Sequence, residues 1–200
     1  MPFFTYGSAE TDYLTKKDKK MGALIERVGP IERVVTPDPF AAIIGSIISQ
    51  QISGKAADTV ERRLRERVGE LTPEVILPLT PDDLRLCGMS YRKAGYIRTA
   101  AEAAASGAID FSKLHTLSDD EVIATLTALP GIGVWTCEML LIFCFERPNV
   151  LSFGDLAIRK GIMRLYGYKT LDRAKFERLR KRYTPCASVA SLYLWHHSAE

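Results

Sequence analysis

Four times the sequence sets a threonine directly ahead of a proline: Thr36-Pro37-Asp38-Pro39, Thr72-Pro73, Thr80-Pro81 and Thr184-Pro185. This is how helices start. A hydroxyl or carboxylate oxygen accepts one of the unpaired N–H groups of the first turn, and proline has no N–H to lose there. Ser118 and Glu121 have the spacing of a capping box, and Gly29-Pro30, Gly69, Gly107 and Gly167 read as stops. Between these marks the sequence predicts helices near 11–27, 39–51, 54–68, 73–78, 81–86, 91–106, 119–128, 134–145, 156–166, 172–182 and 186–197. Apolar residues recur at three and four positions, as in Val60, Leu64 and Val68 or Ile158, Ile162 and Leu165. Two-residue alternation and Asn-Gly or Asp-Gly turns are missing, and Val34-Val35 is the nearest approach to a strand. The expectation is an all-α chain of many short helices, a single domain over residues 1–200 without repeats or a low-complexity linker.

Composition excludes several classes. With 46% hydrophobic and 26% charged residues the chain is not a disordered tail. The longest apolar run, Met139 to Phe145, is too short to span a bilayer. No basic residue precedes Lys16 and no apolar stretch opens the chain, so a signal peptide is not expected. Cys87, Cys137, Cys144 and Cys186 form no C-x-x-C pair and no zinc pattern, which favours a reducing compartment, cytoplasmic or nucleoid-associated. The net charge of +3 says little, but its distribution is uneven. From Arg159 to Arg182 ten basic residues face only Asp172 and Glu177, giving +8 there and leaving −5 for the rest. Such a run reads either as a solvated helix face or as a side turned to a polyanion.

Two segments carry candidate chemistry. In Leu129-Pro130-Gly131-Ile132-Gly133, one helix ends and another begins within five residues. Either the glycines merely allow two helices to pack closely, or the turn exposes N–H groups at a helix start and so forms a phosphate site that reads no side chain. About twenty residues on comes Gly154-Asp155, after the apolar run Val150-Leu151 and before a predicted helix. Asp155 reads as an N-cap, or as a carboxylate set beside an anion-attracting Arg159-Lys160 pair.

Taken together, these segments resemble the helix-hairpin-helix DNA glycosylases, and within them the DNA-3-methyladenine glycosylase II branch. Phe40–Ser53 is similar to the branch's early helix, Gly88-Met89-Ser90-Tyr91-Arg92-Lys93-Ala94 to its Gly-x-Ser-x-x-Lys-Ala turn, and Ser188–Trp195 to its final helix. The resemblance runs from about residue 20 to the end. It implies a helical core of two packed lobes with a DNA-binding cleft between them, the hairpin motif covering about 119–145. Larger members carry an added β-rich N-terminal domain for which 200 residues leave no room.

Residue by residue, the resemblance makes Asp155 the catalytic carboxylate for hydrolysis of an N-glycosidic bond. Trp135, Trp195 and Met139 fall at base-pocket positions, where aromatic faces attract a cationic, flipped-out base. Met139 departs from a pocket tyrosine. Gln51 matches the wedge that fills the gap left by the flipped nucleotide, with Gln50 supporting the loop; a polar pair at a helix end is the plainer reading. Leu129, Gly131, Ile132 and Gly133, with Arg159 and Lys160, match the DNA phosphate contacts. The main-chain carbonyls of Thr127, Leu129 and Ile132 match the holders of a structural Na or K ion. No other cofactor is implied, and Cys186 alone near the C-terminus does not make the iron–sulfur cluster of another branch. Bifunctional relatives carry a lysine where Trp135 stands, so a monofunctional enzyme is expected. The implied partner is double-stranded DNA with damaged bases, bound by a monomer, and the implied substrates are alkylated purines such as 3-methyladenine and 7-methylguanine. The competing readings are a non-catalytic helix-hairpin-helix DNA-binding module and a glycosylase for uracil or an oxidised purine.

Overall fold

The computed structural model describes residues 2–200. Helices follow one another as α1 (Ser8–Lys17), α2 (Lys19–Val28), α3 (Pro39–Ser49), α4 (Gly54–Val68), α5 (Pro73–Ile76), α6 (Pro81–Leu86), α7 (Tyr91–Ala105), a 3₁₀ helix (Phe111–Thr116), α8 (Asp119–Leu126), α9 (Val134–Phe143), α10 (Leu156–Tyr166), α11 (Arg173–Tyr183) and α12 (Ala187–Ala199). The fold is all-α. Val34, where the sequence came nearest to a strand, makes only an isolated bridge to Phe3.

The caps explain the boundaries. Asp38 accepts from the Ala41 N–H, Thr80 from Asp83 and Ser118 from Glu121, the last two as full capping boxes. Gly29, Gly69 and Gly167 end α2, α4 and α10 with φ near +70 to +80°. Three expectations need correction. The predicted helix 11–27 is two helices, because Asp18 turns extended (φ −149°, ψ 109°) and caps α2 through the N–H groups of Lys20 and Met21. The 3₁₀ helix was not anticipated. Thr184, read as a helix start, instead ends α11; it precedes a cis Pro185, and α12 begins after Cys186 without a side-chain cap.

The chain divides into two compact units. One comprises the stretch up to Val35 together with Leu141–Glu200, the other Thr36–Leu140. In the first, α12 is the central helix, buried from Ala187 through Leu194. Helix α10 packs on it so closely that a Cβ on Gly161 would lie 2.2 Å from the Leu194 carbonyl oxygen. In the second unit, Ile43, Ile44, Ile47 and Ile48 of α3 are buried, with Leu64 of α4 and Ala94, Ile97, Ala100 and Ala101 of α7. Among the described residues no disulfide forms, and all four cysteines are buried. Among the described residues no helix is long and apolar enough to cross a membrane.

Candidate functional site

In the unit Thr36–Leu140 the hairpin joins α8 to α9. The Leu129 N–H donates to the Leu126 carbonyl at 3.0 Å and the Ile132 N–H to Leu129 at 3.2 Å, closing the turn on itself. Those two amides are used inside the hairpin. Among the described residues no acceptor faces the N–H of Gly131 or Gly133, and the Gly133 carbonyl takes the first bond of α9 from Cys137. The N–H groups of the two glycines therefore add to the main-chain donors that the first turn of α9 offers an anion. Gly131 has φ +84° and lies against the ring of Tyr96. A Cβ on Gly133 would meet nothing within 4 Å.

The turn after α3 sits beside this hairpin. Gln50 donates from Nε2 to the Gly131 carbonyl at 2.8 Å, so it braces the hairpin. Gln51 adopts φ +57°, a left-handed conformation that costs a residue with a Cβ about 1–2 kcal/mol. It is exposed, and its Oε1 accepts from an Arg92 Nη at 3.2 Å. Lys93 is tied to the protein: its ammonium donates to the Ile48 carbonyl at 2.7 Å, and burial, with the neighbouring Arg92 charge, lowers its pKa.

Trp135 opens α9 directly after the hairpin and is 48% exposed, which separates it from the usual core tryptophan. Met139, one turn on, is half-buried. Between them Cys137 is fully buried, and burial pushes its thiol up to about 11, so it is no nucleophile.

In the other unit Asp155 is 6% exposed and caps α10, its Oδ1 accepting from the Ile158 N–H at 2.8 Å. The segment leading to it is stitched to α12. Ser188 Oγ accepts from the Val150 N–H at 2.9 Å and donates to the Arg147 carbonyl at 2.5 Å, while Ser191 Oγ donates to the Val150 carbonyl at 2.9 Å. Trp195, on α12, is half-buried with its ring 5.5 Å from that of Phe143. Gly161 then locks α10, which carries Asp155, onto α12 one residue before Trp195. These positioning roles of Ser188, Ser191 and Gly161 were missed from sequence; a glycine inside helical text was the one available signal. Arg159 lies with its guanidinium 5.4 Å from the centre of the Phe153 ring, its Nε buried and without a partner among the described residues, while Lys160 is exposed.

Residues 44–186 match the HhH-GPD superfamily of base excision DNA repair proteins. The chain belongs to that superfamily. Among curated proteins, this HhH-GPD chain is 33% identical over 196 residues to DNA-3-methyladenine glycosylase 1 of Schizosaccharomyces pombe, covering 93% of this chain and 85% of that one. It is 28% identical to a putative DNA-3-methyladenine glycosylase of Bacillus subtilis, covering 88% and 64%. Among solved structures, a DNA-3-methyladenine glycosidase from Bacillus halodurans superposes with a TM-score of 0.86 at 36% identity, covering 99% and 93%. The S. pombe 3-methyladenine DNA glycosylase in complex with abasic DNA gives 0.80 at 32%, covering 94% and 95%. This HhH-GPD protein is thus a DNA-binding N-glycosylase of base excision repair.

Proposed function

We propose that the protein is a monofunctional glycosylase that removes alkylated purines such as 3-methyladenine and 7-methylguanine from double-stranded DNA. The observation that carries this reading is Asp155, a buried carboxylate held at the start of α10 by its cap bond. Cleavage of the C1′–N bond sends the bonding pair to the purine and leaves positive charge on the sugar. A fixed carboxylate opposite that charge stabilises it, and the same group orients a water whose hydroxyl joins C1′ while its proton leaves through the carboxylate. A purine already cationic from alkylation departs as a neutral base, so no general acid is required. Names of relatives support this substrate class.

Trp135, Trp195 and Met139 are proposed to line the base pocket. With Trp135 where bifunctional relatives have lysine, no amine attacks the sugar, so the product is an intact abasic strand. Gln51 is proposed as the wedge, its left-handed backbone and exposure suiting it to leave the protein surface. Gly131, Gly133, Arg159 and Lys160 would take phosphates, with Leu129 and Ile132 shaping the turn. The carbonyls of Thr127, Leu129 and Ile132 are hard oxygen donors that suit a Na or K ion, which would supply positive charge toward a phosphate.

The test is base release from methylated DNA by wild type and Asp155→Asn. Asparagine keeps the helix cap, so the variant is expected to melt like wild type and to lose about a hundredfold or more in rate. Equal release by both proteins would remove Asp155 from the chemistry. Borohydride should trap no covalent complex; a trapped one would contradict the monofunctional reading.

A further inference from the structure

We infer that Arg92 is a positioning residue: by holding the carbonyl oxygen of Gln51 it turns the wedge so that only N–H donors face the DNA, and the enzyme therefore accepts thymine and cytosine opposite the lesion alike. The inference rests on the wedge reading of Gln51 and adds what the wedge presents.

A guanidinium has only donors, so the Gln51 atom 3.2 Å from it is the amide oxygen. The other end of the amide, Nε2, has no partner among the described residues. The neighbouring glutamine shows the contrast, its Nε2 being tied to the Gly131 carbonyl. One turn thus anchors Gln50 inward and leaves Gln51 a free pair of donors outward, on a backbone held at φ +57°. Gln51 lines a hollow of about 310 Å³ together with Ile48, Ile52, Val60, Met89 and Arg92. When a purine is flipped out, the base left behind is a pyrimidine, thymine opposite adenine or cytosine opposite guanine. Toward the minor groove both offer the same acceptor, O2. An N–H donor meets either; a wedge turned the other way would set its oxygen against O2 and repel both. Arg92 thereby fixes the sign of the contact.

The experiment measures affinity for three duplexes containing a tetrahydrofuran abasic analogue, set opposite thymine, opposite cytosine, or opposite a second tetrahydrofuran. Binding needs no cleavable lesion, so it does not depend on substrate assignment. Wild type is expected to bind the thymine and cytosine duplexes equally and the base-less one about threefold to tenfold more weakly, the size of one hydrogen bond. In Arg92→Ala that ratio collapses toward one, and Arg92→Lys, which keeps a donor, restores part of it. A phosphate contact would instead weaken all three duplexes together and leave the ratio intact, which overturns the proposal. Gln51→Ala separates the two layers. If it abolishes the ratio while Arg92→Ala does not, the wedge stands and the role of Arg92 fails. If it leaves the ratio unchanged, the wedge reading itself fails.

Discussion

Gly131 and Gly133 stand two residues apart and answer to different demands. Gly131 combines φ +84° with a neighbour that leaves no room: a Cβ would fall 2.3 Å from the Tyr96 ring. Gly133 has neither constraint, since its φ is not left-handed and open space surrounds it. The fold therefore requires the first glycine, and nothing among the described residues requires the second. Gly131→Ala is expected to lower stability by about 2–4 kcal/mol through strain and overpacking. Gly133→Ala should melt within about 1 °C of wild type, a shift within ordinary surface-substitution effects, yet bind DNA several-fold more weakly. Thermal melts and a binding titration on both proteins check this; equal melting losses would mean that both glycines are structural. The sequence showed that the hairpin was special but not which glycine did what, because the deciding neighbour, Tyr96, lies 35 positions earlier in a different helix. The same limit applied to Asp155, where cap and catalytic readings competed: the structure shows the cap, and burial is the fact that sequence could not supply.

At the scale of elements, most starts and stops were legible because they are local chemistry, an oxygen at the cap and a glycine at the end. The break between α1 and α2 was not. Lys16-Lys17-Asp18-Lys19-Lys20 falls inside the single helix predicted near 11–27, but Asp18 is 5% exposed. Its Oδ2 accepts from the Tyr166 hydroxyl and from Arg182, both at 2.6 Å, and its Oδ1 caps α2. These partners are 148 and 164 residues away, on α10 and α11. Burial pushes the Asp18 carboxyl up, but the bonds from Tyr166, Arg182 and the Met21 N–H, with the Arg182 charge, outweigh it and hold the pKa below the ordinary value. A depressed folded pKa gives stability that is present above the unfolded value near 3.9 and lost as pH falls through the folded one. Asp18→Asn should cost about 2–3 kcal/mol at neutral pH, discounted because Arg182 is half-exposed. It should also flatten the fall in stability below about pH 4. Urea unfolding at several pH values measures both. An unchanged acid limb in the variant would assign acid lability to other carboxylates, such as exposed Asp110, held at about 2 by Ser112 and Lys113.

Over the whole molecule the charge run from Arg159 to Arg182 is less free than its count of +8 implied. Arg173 and Arg180 both pair with Glu177, at 2.9 and 2.6 Å, Lys175 pairs with Asp172 at 3.7 Å, and Arg182 pairs with Asp18. Among the described residues no carboxylate lies within 4 Å of Lys160, Arg164, Lys169, Arg178 or Lys181. The sequence could count charges but not pair them. Two double variants on α11 separate a contact surface from a diffuse field, since each removes two positive charges. Arg178→Ala with Lys181→Ala takes away two unpaired cations, whereas Arg173→Ala with Lys175→Ala takes away two already facing carboxylates. If unpaired cations meet phosphates, the first pair lowers the slope of log affinity against log salt by about 1.8, near 0.9 per contact, and the second lowers it much less. Equal changes in both would mean that DNA senses only the summed charge of this side. No change in either would move the contacts to the hairpin glycines and Lys160. The slope is the better measure than affinity at one salt concentration, because it counts counterions released and so distinguishes a lost phosphate contact from a lost fraction of the field.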